Sequence, residues 1–301
     1  MAEPLIKDVS DTAFWIAHHR AVETERADAL FRDPLAVRLA GGHGRNIAMA
    51  MPNSRVIGWT IVMRTCIIDS FIRSAVDAGI DTVLNVGAGL DTRPYRMNLP
   101  ASLDWVEADY PHIVDYKEDR LANEHPRCRL ERVKIDLTDR VARRELFSRL
   151  DARARQMLIL TEGVVPYLSL EEAASLADDF GALDHVRNWL VDYFSPEAMR
   201  YRQRKAMGRA MQNAPFRFAP ENWFAFFEQH GWRAGEIRYL VDAGARLHRP
   251  IPLPWHLKFL ASTLGLLATR ERRDALRNFA AYVLLEPLRY TAAATLGCTI
   301  G

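Results

Sequence analysis

Residues 82–91 read TVLNVGAGLD, and this stretch decides the fold. A mostly apolar run of strand length, Thr82–Val86, is followed at once by Gly87 and Gly89. The pattern is typical of a buried strand that turns tightly above the edge of a sheet, because glycine tolerates the backbone angles of such a turn. Open α/β sheets bind ligands at this edge, at the carboxyl ends of their strands. We therefore predict a ligand site directly after this strand.

Strand-like and helix-like segments alternate through the rest of the chain. We predict further strands at residues 103–108, 129–135, 157–161, 189–194, 237–241 and 280–285, and N-terminal helices at residues 12–26, 27–39 and 57–78 with a loop at residues 41–44. Such alternation predicts an α/β fold, a Rossmann-like sheet of about seven mostly parallel strands with helices on both faces.

The length suits a single domain, residues 1–301, with a helical cap. We predict these segments: an N-terminal helical cap (residues 1–78), a cofactor-binding core (79–194), a cap insertion (195–222) and a C-terminal part of the sheet with its helices (223–301).

Composition argues against several classes of protein. The chain has 301 residues, of which 49% are hydrophobic and 26% charged, and its net charge is only +2. The short basic runs give no patch for nucleic acid, and the longest apolar stretch, residues 259–268, is too short to span a bilayer. Three distant cysteines, with no CxxC pair, fit a reducing cytoplasm and argue against a structural zinc site. We expect a cytoplasmic protein without a metal, a monomer or a homodimer.

The glycine motif itself separates two classes of ligand. A dinucleotide site would read GxGxxG, in which the third glycine helps pack the helix that holds a pyrophosphate. Here the motif reads GxGxD, and Asp91 precedes Thr92, Arg93 and Pro94. A carboxylate beside a helix start disfavours a pyrophosphate and suits a cationic sulfonium ligand that carries an ammonium group. Taken alone, two glycines after a strand also fit an ordinary tight turn.

Acidic residues end three later strands. Asp109 ends the second strand, where a carboxylate can accept hydrogen bonds from both hydroxyls of a ribose. Glu107 shares its strand face, but Asp109 lies nearer the strand end and is expected to reach the ligand. Asp136 ends the third strand, where it could accept from an adenine amino group or simply cap a helix. Glu162 ends the fourth strand and could pair with the cationic end of the ligand.

Read together, these motifs resemble the leucine carboxyl methyltransferase family, and most closely its bacterial branch, which includes the tetracenomycin-type polyketide O-methyltransferases. The matching stretches are NVGAGLDTR (85–93), EADYP (107–111), Asp136-Leu137, TEGVVPYL (161–168), RAVE (20–23), DPLA (33–36) and Arg64-Thr65. The resemblance covers roughly residues 10–195 and weakens towards the C-terminus, where we expect substrate selection.

The resemblance implies a class I methyltransferase fold and S-adenosyl-L-methionine as the cofactor, with S-adenosyl-L-homocysteine as its product. By matching position it implies the following contacts: Arg64 with the cofactor's carboxylate, Gly87 with its methionine part, Asp109 with the ribose, Asp136 and Leu137 with the adenine, and Glu162 near the amino-acid end. Ala88, Gly89, Tyr110 and Gly163 complete the predicted set. From spacing alone, Arg64 is equally a surface arginine of a helix.

The methyl acceptor is expected to be a small aromatic or polyketide-type molecule, methylated on a carboxylate or a phenolic hydroxyl. Arg96 and Tyr167 are candidates for binding it. Arg93 and Arg96 are each expected either to bind the substrate or to stabilise the glycine loop. His112 and Tyr167 are candidates for a catalytic role, and His18 and His19 are further candidate bases. The alternatives are a protein C-terminal carboxyl methyltransferase, as in the eukaryotic relatives, a nucleotide-cofactor oxidoreductase, and a cofactor-binding module without activity.

Overall fold

A computed structural model describes residues 6–202, 211–252, 269, 274, 275 and 277–289. Its centre is one sheet of seven strands in the order β3-β2-β1-β4-β5-β7-β6. The strands are β1 (Thr82–Val86), β2 (Asp104–Asp109), β3 (Arg129–Lys134), β4 (Met157–Leu160), β5 (Val186–Phe194), β6 (Trp232–Tyr239) and β7 (Ala280–Pro287). The predicted mostly parallel, Rossmann-like sheet is confirmed.

Strands β1 to β5 pair in parallel, and β1 lies between β2 and β4. Every residue of β1 and of β4 is buried, which explains why both are apolar runs rather than alternating patterns. The chain order reverses between β1 and β4, and this reversal opens a crevice at the carboxyl ends of the two strands. The predicted ligand loop after Val86 therefore lies at the switch point of the sheet.

The helices are α1 (Asp11–Thr24), α2 (Pro34–Ala50), α3 (Ser54–Asp77), α4 (Arg93–Arg96), α5 (Pro111–Leu121), α6 (Arg140–Asp151), α7 (Leu170–Gly181), α8 (Pro196–Arg202), α9 (Trp223–Gln229) and α10 (Leu240–Arg246). A short 3-10 turn, Val165–Tyr167, follows β4. Among the described residues, no helix combines the length and the apolar character that a membrane crossing needs.

The sequence prediction is wrong in two N-terminal places. Residues 27–33 are not helical; Asp33, paired with Arg20 at 2.8 Å, caps α2 by accepting from the Ala36 N–H. The predicted loop at residues 41–44 is only a kink inside α2, at Gly41, whose backbone is non-helical with a φ of 54°. Gly44 lies against the Phe14 carbonyl, which leaves no room for a Cβ at that position.

The predicted strand at 237–241 is also displaced. The strand is Trp232–Tyr239, and Leu240–Arg246 is helical. As the edge strand of the sheet, β6 is mostly half-exposed or exposed, so it lacks the apolar run that marks the central strands. The predicted apolar stretch 259–268, residues 203–210 of the predicted cap insertion, and Cys298 lie outside the described residues.

Contacts divide the chain into two compact units. The first comprises Met1–Ile68, Tyr193–Pro215 and Arg238–Tyr282, and the second comprises Asp69–Asp192, Phe216–Ile237 and Val283–Gly301. The switch point between β1 and β4 belongs to the second unit. The predicted division into cap, core and insertion stays a prediction.

Candidate functional site

The loop after β1 is a close-packed turn. Gly87 has a φ of 65° and Gly89 a φ of 50°, in the left-handed region that side chains avoid. The Gly87 N–H donates to the Ala108 carbonyl at 2.8 Å, which fixes this loop to the end of β2. A Cβ added to Gly87 would lie 2.5 Å from Cγ2 of Val164, in the loop after β4. Gly87 therefore lets the two loops of the switch point approach each other.

The variant Gly87→Ala tests this close approach. We expect it to destabilise the protein by about 2 kcal/mol, because a left-handed residue with a Cβ costs about 1–2 kcal/mol and Val164 must also shift. Thermal or urea unfolding measures the effect. The double variant Gly87→Ala/Val164→Ala should regain the part that the contact contributes and retain the backbone part. Equal stabilities of the single and the double variant would contradict the proposed contact.

The hydrogen bonds of Asp109 distinguish it from Glu107, the other candidate carboxylate of β2. One oxygen of Asp109 accepts from the Gly89 N–H at 2.5 Å, and the other accepts from the Tyr110 N–H at 2.7 Å. Burial raises the pKa of the Asp109 carboxyl, and these two N–H groups partly offset the rise. Each oxygen still has a lone pair for a further donor.

Glu107 has different partners. Its carboxylate lies 2.8 Å from Lys117 Nζ and 3.0 Å from Arg132 Nε, and the side chains of Glu107 and Lys117 are each 2% exposed. Glu107 is thus part of a buried ion cluster beneath β2. This arrangement supports Asp109, rather than Glu107, as the carboxylate that faces a ligand.

Asp136 and Leu137 follow β3. Asp136 is exposed, and its Oδ1 accepts from the N–H and the hydroxyl of Thr138. The alternative interpretation of Asp136 as a helix cap is wrong, because Asp139 caps α6 by accepting from two backbone N–H groups. The Leu137 carbonyl accepts from Arg143, which holds the turn in place. Their predicted roles beside adenine stay predictions.

The loop after β4 begins with Glu162 and Gly163. Gly163 has a φ of 70°, and its N–H donates to Asp192 of β5 at 2.8 Å. Glu162 Oε2 lies 2.6 Å from Arg93 Nη1, and the Glu162 side chain is 12% exposed. The predicted cofactor ligand Glu162 thus has an arginine partner within the protein.

Arg93 is the centre of a buried ion cluster. Its Nε donates to Asp69 at 2.7 Å, and its Nη1 donates to Asp91 at 2.8 Å as well as to Glu162. Arg96 donates to both oxygens of Asp69, at 2.6 and 2.8 Å. We name these five residues the Arg93 cluster. The sequence interpretation assumed that the charge of Asp91 acts directly on the ligand. In the structure Arg93 pairs with Asp91 and offsets that charge.

The candidate acceptor residue Arg96 therefore has a carboxylate partner in this cluster, and its side chain is 6% exposed. Its predicted role in binding the acceptor stays a prediction.

Aromatic rings flank the switch point. Exposed His112 stacks on Tyr110, with ring centroids 5.8 Å apart and planes 17° apart. Tyr167 stacks on Phe216 at 5.0 Å and 21°, and both rings are half-buried. The Pro166 carbonyl accepts from the N–H groups of Arg217 and Phe218. The segment 216–218 therefore holds the end of the loop that begins at Glu162.

Other predicted residues belong to the first unit. Arg64 is half-buried on α3. His19 is buried, Trp15 Nε1 donates to its Nε2 at 3.0 Å, and burial lowers its pKa to about 4. A base needs a pKa nearer the working pH, so these properties do not suit His19 to that role. Burial also lowers the pKa of His18.

Two carboxylates of the site were missed from the sequence. Asp69 lies within the long apolar stretch of α3, and Asp192 within the apolar β5. An acid inside an otherwise buried run was the available signal, since buried carboxylates need partners. Within the described ranges, no group of three or more His, Cys, Asp or Glu residues could hold a metal ion.

The residues at this edge fit the predicted S-adenosyl-L-methionine. Asp109 has spare lone pairs for ribose hydroxyls. The Arg93 cluster brings three carboxylates to this edge, and Glu162 is the most exposed of them. A carboxylate suits a ligand with a sulfonium and an ammonium group better than it suits a pyrophosphate.

Known proteins match the chain over most of its length. The family model described as leucine carboxyl methyltransferase matches residues 13–181. A Frankia alni protein named as an S-adenosyl-L-methionine-dependent methyltransferase is 30% identical over 274 residues, which cover 84% of this chain and 93% of that protein. A protein of the same description from Mycobacteroides abscessus is 28% identical over 282 residues, covering 82% and 91%.

Solved structures are similar in fold at low identity. A Thermobifida fusca protein named as a methyltransferase has a TM-score of 0.54 at 13% identity, covering 94% of this chain and 96% of that one. A DUF574 family protein from Streptomyces avermitilis has a TM-score of 0.52 at 16% identity, covering 90% and 96%. These likenesses confirm the predicted methyltransferase fold. Since the family model matches more than half of the chain, the chain belongs to the leucine carboxyl methyltransferase family.

Proposed function

We propose that this protein transfers a methyl group from S-adenosyl-L-methionine to an oxygen of a small aromatic or polyketide-type molecule. The cofactor prediction agrees with the names of the relatives described above. The observation that carries the assignment is Asp109, held at the switch point by the N–H groups of Gly89 and Tyr110 with lone pairs to spare. We place the activity in the cytoplasm, in a monomer or a homodimer.

Each group of residues has a distinct task in this proposal. Asp109 binds the ribose hydroxyls, Asp136 and Leu137 bind the adenine, and Glu162 faces the amino-acid end. When bound, the cofactor supplies an electrophilic methyl group on a sulfonium, which an acceptor oxygen displaces in line. Because the leaving group is good, holding the two reactants together supplies most of the catalysis.

The acceptor would lie beside Tyr167. Its half-buried stack with Phe216, at the end of the loop that begins at Glu162, supports an aromatic acceptor, since rings pack favourably on rings. A carboxylate acceptor is ionised at neutral pH and needs no base. A phenol, with a pKa of about 10, gains from a base, for which His112 and Tyr167 are the candidates.

The test is methyl transfer from labelled S-adenosyl-L-methionine to a panel of aromatic carboxylic acids and phenols. We expect a methyl ester or a methyl ether, with Asp109→Ala as a control that needs more S-adenosyl-L-methionine to reach the same rate. A phenol would show a rate that rises with pH towards about 10, whereas a carboxylate would show little change near neutrality. Transfer only to a peptide C-terminal carboxylate would replace this proposal by the alternative of a protein C-terminal carboxyl methyltransferase. Calorimetric binding of NAD without binding of S-adenosylhomocysteine would overturn methyl transfer altogether.

A further inference from the structure

We propose that Arg93 is a positioning residue that holds Glu162 towards the amino-acid end of the cofactor, and that Asp69 holds the Arg93 guanidinium in place for this role. The proposal rests on the proposed function, because it concerns the end of the site that would receive the ammonium group. It adds two residues to that site that are not expected to touch the cofactor.

The geometry joins three elements through one guanidinium. Arg93 Nη1 lies 2.8 Å from Asp91, in the loop after β1, and 2.6 Å from Glu162, in the loop after β4. Its Nε lies 2.7 Å from Asp69, on α3. The planar fork of an arginine can serve these directions at once, whereas a lysine is a single point charge. Arg93 therefore fixes the position of Glu162 relative to the glycine loop at the switch point.

The members of the Arg93 cluster differ in their exposure to solvent. The Arg93 side chain is 2% exposed, whereas Glu162 is 12% exposed and is the most accessible member of the Arg93 cluster. Glu162 is therefore the member of the cluster that an incoming cation reaches first.

Arg93 and its partner Asp69 are both ionised in this arrangement. Burial lowers the pKa of Arg93, but the charges of Asp91, Glu162 and Asp69 outweigh it and raise the pKa well above its ordinary value. Burial raises the pKa of Asp69, but Arg96 and Arg93 outweigh it and hold the pKa below its ordinary value. Arg93 and Asp69 therefore stabilise each other in their charged forms.

The proposal predicts a loss that depends on which part of the ligand is present. Arg93→Lys keeps the charge and loses the fork, so we expect affinity for S-adenosylhomocysteine to fall by about tenfold or more. 5′-Methylthioadenosine has the same adenine, ribose and sulfur but no amino-acid end. Its affinity should stay within about twofold of the wild-type value, because Asp109 and the glycine loop are unchanged. Isothermal titration calorimetry with both ligands measures the two effects.

A second variant and a control make the test independent of misfolding. Asp69→Asn weakens the hold on the Arg93 and Arg96 guanidinium groups at a residue that is not expected to touch the ligand, and we expect the same selective loss for S-adenosylhomocysteine. Arg132→Lys alters another largely buried arginine with a carboxylate partner, Glu107, and should change neither affinity. If Arg93→Lys does not fold, Asp69→Asn alone decides.

The outcomes separate this proposal from the proposed function. Equal losses for both ligands, or no loss for either, would overturn the positioning role and leave the cofactor assignment standing. Failure of the wild-type protein to bind either ligand would overturn both. In steady-state assays the same variants should raise the KM for S-adenosyl-L-methionine more than they lower kcat, and a fall in kcat alone would count against positioning at the amino-acid end.

Discussion

Replacing Asp109 by alanine is expected to weaken binding of S-adenosylhomocysteine by about 1–3 kcal/mol, which is roughly 5- to 150-fold in Kd. The carboxylate is 9% exposed and is fixed by the N–H groups of Gly89 and Tyr110, so it is already oriented before a ligand arrives. Hydrogen bonds from two ribose hydroxyls to an ionised, preorganised carboxylate are stronger than those between neutral groups.

Calorimetry measures this loss, and Asp104→Ala is the matched control. Asp104 lies at the other end of β2, where it pairs with exposed Arg129. The control should leave the affinity unchanged because surface ion pairs of this kind contribute little. An unchanged Kd in Asp109→Ala would remove the ribose assignment.

Replacing Glu107 by glutamine is expected to have the opposite profile, with stability lost and cofactor affinity retained. Glu107 is the partner of both Lys117 and Arg132. Removing one member of a buried ion pair costs about 3–5 kcal/mol, because the remaining charges lie in the interior without compensation. Urea unfolding should show the loss directly.

The loss should depend on pH. Burial lowers the pKa of Lys117 below its ordinary value of 10.5, and Glu107 opposes this effect. Without Glu107 the folded state holds the Lys117 proton less tightly than the unfolded state does. The stability of Glu107→Gln should therefore rise, relative to the wild type, as pH increases towards 10.5.

A double variant checks the cause of this loss. Glu107→Gln/Lys117→Met removes the buried ammonium group together with its partner, and should regain much of the stability, since apolar replacements of buried pairs are often neutral. A double variant no more stable than Glu107→Gln would contradict the electrostatic explanation. A loss of S-adenosylhomocysteine affinity in a folded Glu107→Gln would show that the choice between the two acids of β2 was mistaken.

The central part of the fold was predictable because its signals are local. Strand β4 is apolar along its whole length and β1 is mostly apolar, and the glycines of the turn after β1 are visible in the sequence. The errors occur where tertiary contacts decide. The glycines at 41–44 look like a loop, yet the chain makes only a kink at Gly41 and continues as a helix, with Gly44 against the Phe14 carbonyl. Strand β6 was displaced because an edge strand has no need of an apolar run.

The candidate site divides in the same way. Asp109 and Glu162 were predictable as acids at strand ends, since the carboxyl ends of parallel strands meet at one edge. The Arg93 cluster was not predictable in full. Arg93 was weighed as either a substrate ligand or a stabiliser of its loop, and its partner Asp69 lies 24 residues earlier, on α3. Only the folded chain brings those charges together.

The hydrogen bonds that Arg217 and Phe218 donate to the Pro166 carbonyl have a consequence for how the acceptor preference can change. The family model ends at residue 181, yet Arg217 and Phe218 hold the backbone beside Tyr167 from outside the matched region. We therefore expect that exchanging residues 211–222 between relatives would change the ring stack of Tyr167 and Phe216 while leaving Gly87, Asp109 and their strands unchanged. Under the proposed function, such an exchange would change which acceptor is methylated without changing how the methyl donor binds.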